Sequence, residues 1–138
     1  MKAITILCLL SVAQVVRAEP AEFHIALQGQ WSGTAIDGTK VSYSFTKEGN
    51  VTWYVDDDNF TQAFPKGLVA KYKISIAKPY WKLDIHKFEH PMFKDIEFRG
   101  ILEVLSEKSF RMEGAPSNRG ERPERFTKDS VLFQAAKD

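Results

Sequence analysis

The chain has 138 residues, with 19 basic and 18 acidic side chains and a hydrophobic fraction of 43%. This length suits a single domain that can bury an adequate core. The nearly balanced, interspersed charge argues against nucleic acid as a partner, because nucleic-acid-binding domains carry a clustered basic surface.

The first eighteen residues are predicted to be a secretory signal peptide. Lys2 supplies a short basic region, residues 3–16 form an apolar run, and Val16-Arg17-Ala18 offers small residues at the cleavage position. A transmembrane anchor is the weaker alternative, because the run is shorter than the roughly 20 apolar residues that a span requires. We therefore expect a secreted or periplasmic mature domain, residues 19–138, with no membrane span.

The single cysteine, Cys8, lies inside this leader. The mature domain is therefore expected to have no thiol, which excludes disulfides, thiolate metal sites and a cysteine nucleophile. An exported domain of this kind must be stabilised by its hydrophobic core alone.

Alternation of apolar and polar residues predicts strands along the whole mature chain. In the first strand Trp31 lies between Gly29 and Gly33, and glycine within a strand is typical of a bend or of close backbone approach. Asp37-Gly38 predicts the turn that follows. The predicted strands are residues 25–35, 40–46, 51–55, 70–76, 81–86, 96–104, 110–112 and 126–134.

The connections between these strands are mostly of hairpin length, and no segment has a convincing helical period. Residues 60–67 break the alternation and are predicted to be a loop, as is the charged segment 115–124. The pattern favours one all-β domain, an eight-stranded antiparallel up-and-down barrel, since closure removes exposed strand edges. A two-sheet sandwich is the alternative.

Six short motifs follow one another along the mature chain: Leu27-x-Gly29-x-Trp31, Phe45-x-x-x-Gly49, Lys71-Tyr72-Lys73-Ile74, Asp84-Ile85, Arg99-Gly100-Ile101-Leu102 and Arg122-Pro123-x-x-Phe126. In order and spacing this set resembles the small bacterial lipocalin-like domain common in planctomycetes and related phyla. The resemblance spans about residues 27–134 and implies a lipocalin-like (calycin-like) barrel without an established activity or catalytic residues. The chain departs from the pattern at Met112-Glu113-Gly114, where relatives often carry a cysteine.

The same resemblance implies a structural role for four residues. In lipocalins an arginine near the last strand covers the tryptophan of the first strand. Arg122 or Arg125 is therefore expected to lie within about 6 Å of the Trp31 ring, as a cation–π contact. Trp31, the neighbouring Gly29 and this arginine are expected to support the fold rather than to bind a ligand.

Other candidate sites have simpler explanations. His86 and His90 would stand about 13 Å apart in an extended strand, too far to share a metal ion, and zinc or copper needs three or four convergent ligands. Residues 56–59 lack the ligand spacing of a calcium loop. Ser32 has only half of the glycine setting of a nucleophile elbow. We therefore expect no metal, no cofactor and no catalytic site.

Aromatic residues on the apolar strand faces are the remaining candidates. An eight-stranded barrel can be filled by such side chains or can hold a small ligand, and both alternatives stay open here. The leading hypothesis is a non-catalytic carrier or sensor of a small apolar ligand. A solid-core structural or protein-interaction module of the cell envelope is the alternative, and an enzyme ranks third. The predicted ligand-binding residues are Tyr43, Trp53, Tyr72, Trp81 and Phe98.

Overall fold

A computed structural model describes residues 27–136 as a closed barrel of eight antiparallel strands. Each strand pairs with the next along the chain, and β8 pairs with β1 to complete the barrel. The predicted fold class is thereby confirmed, whereas the predicted signal peptide lies outside the described residues. The strands are β1 Gly29–Thr34, β2 Lys40–Phe45, β3 Asn50–Val55, β4 Leu68–Ser75, β5 Trp81–His86, β6 Phe98–Ser106, β7 Ser109–Pro116 and β8 Val131–Ala135.

The alternation in the sequence separates the inside of the barrel from the outside. In β4 every second residue is buried, from Leu68 to Ile74, while Lys71 and Lys73 are exposed. The same alternation buries Leu83 and Ile85 in β5. Successive side chains of a strand point to opposite faces, so the apolar set meets in the barrel interior.

The two ends of the barrel differ in the length of their connections. At one end, called here the turn end, the strands are joined by residues 46–49, 76–80 and 107–108. At the other, called the loop end, the connections are residues 35–39, 56–67, 87–97 and 117–130. Binding residues are found disproportionately on loops, so a binding site is expected at the loop end.

Trp31 lies inside the barrel toward the turn end and is only 4% exposed. Its Nε1 donates a hydrogen bond to the Leu27 carbonyl oxygen at 2.8 Å, and its ring lies 4.9 Å from that of Phe110. Gly29, at the start of β1, has a φ of 108°, a conformation that side-chain-bearing residues avoid. Gly29 thus provides the positive-φ backbone conformation between Leu27 and Trp31, which the indole hydrogen bond links.

Two connections contain short helices where the alternation predicted only loops. Helix α1, Asp58–Ala63, begins after Asp57, whose Oδ1 accepts a hydrogen bond from the Phe60 backbone N–H at 3.1 Å. A single 3₁₀ turn, Pro91–Phe93, interrupts the connection from β5 to β6. Among residues 27–136, no helix is long and apolar enough to cross a membrane.

The last two strands differ in length from the prediction. β7 continues to Pro116 because its second half pairs with β6, where Pro116 lies opposite Phe98. β8 begins only at Val131, opposite Met112 on β7. Segment 115–130 was predicted to divide between a loop and the eighth strand. Residues 115–116 instead extend β7, and residues 117–130 form the connection to β8.

The prediction that Arg122 or Arg125 covers Trp31 is wrong for Arg122, and the cation–π contact that the described residues show involves another arginine. Arg122 donates to Asp84 Oδ1 at 2.6 Å and to the Gly100 carbonyl oxygen at 2.9 Å, which ties the connection 117–130 to β5 and β6. Asp84 lies between the inward-facing Leu83 and Ile85, so this contact is on the outer surface. Arg125 belongs to the same connection and is exposed.

The arginine that stacks on an aromatic ring within residues 27–136 is Arg111, whose guanidinium carbon lies 4.1 Å from the centre of the Phe126 ring. Phe126 also contacts Tyr80 edge-on at 4.7 Å. Thr127 donates two hydrogen bonds to the Glu113 carboxylate. Arginine and aromatic residues therefore hold connection 117–130 against the outside of the barrel, not inside it.

Candidate functional site

Most interior side chains of the barrel are buried, and a few are only partly so. Phe45, Leu83 and Phe110 are at most 2% exposed. Nearer the loop end Trp53 and Phe98 are only partly buried, although both pack on the core. We locate the candidate site around Trp53 and Phe98, which lie near the loop end and pack on the core without being fully buried.

Three aromatic residues from separate strands form the inner part of this site, and we call them the inner trio. Tyr43 on β2 lies directly opposite Trp53 on β3, and their rings are nearly parallel with centroids 6.2 Å apart. The Phe98 ring, at the start of β6, lies 6.4 Å from that of Trp53. The alternation of their strands turns all three side chains inward.

A second set of rings, the aromatic cap, lies between α1 and the β5–β6 connection. The Phe60 ring on α1 contacts Trp53 at 5.7 Å, and the Phe64 ring follows at 4.9 Å from Phe60. Phe64 in turn contacts His90 at 4.9 Å and Phe93 at 5.9 Å. The members of the aromatic cap are Phe60, Phe64, Phe88, His90 and Phe93.

His90 has a structural position in this cap. Its Nδ1 accepts a hydrogen bond from the Met92 backbone N–H at 3.1 Å, which caps the 3₁₀ turn, and its ring is half-buried. His90 is therefore a packed member of the aromatic cap and not an exposed residue at a strand end. Residues 27–136 contain no group of three or more histidine, cysteine or acidic side chains that could hold a metal ion.

The five predicted ligand-binding residues divide between the two ends of the barrel. Tyr43, Trp53 and Phe98 come together as the inner trio. Tyr72 is buried toward the turn end, where its hydroxyl donates to the Thr46 carbonyl oxygen at 3.0 Å. Trp81 is the first residue of β5 and so also lies at the turn end. The alternation of apolar and polar residues predicts that all five side chains face inward, but it does not predict at which end of the barrel each one lies.

Trp53 contributes a buried polar atom to the site. Its Nε1 is buried and has no hydrogen-bond partner within residues 27–136. Buried indole N–H groups usually have a partner, and a buried donor without one costs about 1–3 kcal/mol. The inner trio therefore presents an unused hydrogen-bond donor among apolar rings.

The inner trio carries no charge at neutral pH, because Trp53 and Phe98 do not ionise and Tyr43 stays protonated. Burial raises the pKa of the Tyr43 hydroxyl far above its usual value, so this group stays protonated. Burial, with a smaller contribution from Glu48, raises the pKa of Tyr72 to about 12. No polar or charged side chain is fully buried anywhere in the described part of the chain. A molecule beside the inner trio would therefore meet apolar surface, the indole N–H donor of Trp53 and the neutral hydroxyl of Tyr43.

The aromatic cap was missed because its residues lie in connections rather than strands. Two local signals point to it in hindsight. Phe60 and Phe64 are spaced four residues apart, so they share one face of a helix, and Asp57 just before them is a favoured helix N-cap. Phe88 and Phe93 are large apolar residues in a segment that would otherwise be expected to be polar.

Comparison with known proteins supports the architecture. No family model matches the chain, and no curated protein matches it. Among solved structures, Tp0751 (Pallilysin) of Treponema pallidum is similar with a TM-score of 0.59 at 10% identity, covering 96% of this chain and 98% of that chain. A de novo designed fluorescence-activating β-barrel has a TM-score of 0.45 at 12% identity, covering 82% and 96%. At 10% identity the likeness to Tp0751 shows the barrel fold alone.

Proposed function

We propose that this protein is an exported, non-catalytic barrel that carries or senses a small apolar ligand at its loop end. The observation that carries the proposal is the buried, unpartnered Nε1–H of Trp53 among half-buried aromatic rings. Ligand sites are typically apolar concave surfaces with a few placed polar groups. The inner trio and the aromatic cap supply the apolar surface, and Trp53 Nε1 supplies a placed polar group.

The geometry favours binding over catalysis. Apart from Tyr43, His90 is the titratable group among the inner trio and the cap, and its Nδ1 already accepts the Met92 N–H. The raised pKa of Tyr43 makes its hydroxyl a poor base at neutral pH. A general acid–base pair or an activated nucleophile would require a second group within hydrogen-bond reach.

The proposal is tested by titrating the purified protein with Nile red, an uncharged apolar dye. We expect saturable dye fluorescence together with quenching of tryptophan emission, because Trp53 would contact the dye. Trp53→Phe keeps an aromatic ring but removes the N–H donor. The loss of one neutral hydrogen bond should weaken dye binding by about three- to tenfold.

Tyr54→Phe is the matched control. Tyr54 is the next residue on β3 and is 39% exposed on the opposite face, so this variant also loses a polar group and keeps a ring. Dye affinity should not change in this control. Linear, non-saturable dye fluorescence, or equal effects of the two substitutions, would contradict binding at the loop end.

A further inference from the structure

We infer that the ligand is an uncharged molecule whose single essential polar group is a hydrogen-bond acceptor, such as the carbonyl of a ketone, aldehyde or ester, and that free carboxylates are discriminated against. This inference rests on the proposed function and names the chemical class that the same site would select. Its basis is the combination of a neutral donor at Trp53 with an interior that has no buried charge.

The unpartnered group of Trp53 is a hydrogen-bond donor, and this determines which ligand group it can bind. An indole N–H donates and cannot accept, so Trp53 Nε1 requires an acceptor atom from the ligand. A ligand hydroxyl or amine that donates a hydrogen bond would find no acceptor in Trp53, and within the inner trio it could donate only to the Tyr43 hydroxyl oxygen. The apolar contacts of Phe98 and Phe60 around the indole match the hydrocarbon part of such a ligand.

The interior offers no counter-charge for an anion. Within residues 27–136 the arginines that pair with carboxylates are Arg99, Arg111 and Arg122, and these pairs lie on the outer surface with side chains 22–48% exposed. Burying a carboxylate without a cation or several donors is far more costly than burying a carbonyl. A fatty-acid anion would therefore have to keep its head group at the rim, where it could not reach the buried Trp53 N–H.

The test compares two ligands of equal chain length, 2-nonanone and nonanoate, as competitors of Nile red at pH 8. We expect 2-nonanone to displace the dye at least tenfold more effectively than nonanoate. Trp53→Phe should reduce 2-nonanone affinity by about three- to tenfold and leave nonanoate nearly unaffected. Tyr54→Phe should change neither ligand.

A second measurement needs no variant and so does not depend on how Trp53→Phe folds. The infrared carbonyl stretch of carbon-13-labelled 2-nonanone bound to the wild-type protein should shift to lower frequency than in hexane, as for a carbonyl that accepts a hydrogen bond. An unshifted band, or nonanoate competing as well as 2-nonanone, would overturn the ligand class while leaving apolar binding in place. Absence of saturable Nile red binding would overturn both proposals.

Discussion

Trp31→Ala tests the closure of the turn end. The indole is 4% exposed, and a buried aromatic side chain removes about 150–250 Å² from water, so its burial at about 25 cal/mol per Å² is worth roughly 4–6 kcal/mol. Measured aromatic-to-alanine changes in protein cores cost about 3–5 kcal/mol, because the surroundings partly relax. The substitution also leaves the Leu27 carbonyl without its indole donor. We expect a loss of about 3–5 kcal/mol in the free energy of unfolding.

The assay is urea denaturation followed by far-ultraviolet circular dichroism, since tryptophan fluorescence would change with the substitution itself. For a domain of this size, about 4 °C of melting temperature is lost per kcal/mol, so a drop of at least about 12 °C should accompany it. Trp31→Phe should cost less, because it keeps a ring against Phe110. Leu132→Ala, at a side chain 47% exposed, should change stability by less than about 0.5 kcal/mol. A loss below about 1 kcal/mol for Trp31→Ala would refute the structural role of the indole.

Three further substitutions test other parts of the barrel. Gly33→Ala would place a Cβ 2.6 Å from a backbone carbonyl oxygen of β8, so thermal unfolding should show a loss of about 1–3 kcal/mol. Arg122→Met removes the charged bond to Asp84 and should cost about 1–3 kcal/mol in urea denaturation, whereas Arg99→Met, at a more exposed pair, should cost less than about 1 kcal/mol. Because the pKa of Tyr72 is about 12 when folded and about 10 when unfolded, stability should fall as the pH rises from about 10 to 12, and Tyr72→Phe should lessen that fall.

Each of these predictions has an outcome that would contradict it. Wild-type stability in Gly33→Ala would mean that β8 can move away from β1 without cost. Equal losses for the two arginine variants would show that connection 117–130 is not held through Asp84. The alkaline transition should be compared with Tyr54→Phe, which removes an exposed hydroxyl from the outer face. A larger effect from that control than from Tyr72→Phe would contradict the assignment of the transition to a buried tyrosine.

Amino-acid alternation was sufficient to predict the strands and their inner faces. In β2 the buried residues Tyr43 and Phe45 are separated by Ser44, and in β5 Leu83 and Ile85 are separated by Asp84. This is possible because the direction of a strand side chain depends on the local backbone and not on the rest of the fold. Hairpin-length connections likewise predicted the antiparallel order, since a short connection can join only neighbouring antiparallel strands.

The make-up of the candidate site depended on the tertiary structure. Tyr43, Trp53 and Tyr72 have the same local signature, but only the first two lie in the inner trio, because depth in the barrel depends on strand register. The aromatic cap joins Phe64 to His90 across 26 positions of sequence, and α1 positions the first of these rings. No local sequence pattern predicts a contact between residues so far apart in the chain.

The wrong prediction for Arg122 and the extra length of β7 have the same physical origin. Arg122 pairs with Asp84, 38 residues earlier, because connection 117–130 folds back over β5 and β6. β7 continues to Pro116 because β6 offers it a backbone to pair with as far as Phe98. Which segments form strands, and which of their side chains point inward, follow from local geometry that the sequence alone determines. Strand ends, loop paths and the partners of long side chains are decided when distant segments pair, since only that pairing satisfies their hydrogen bonds.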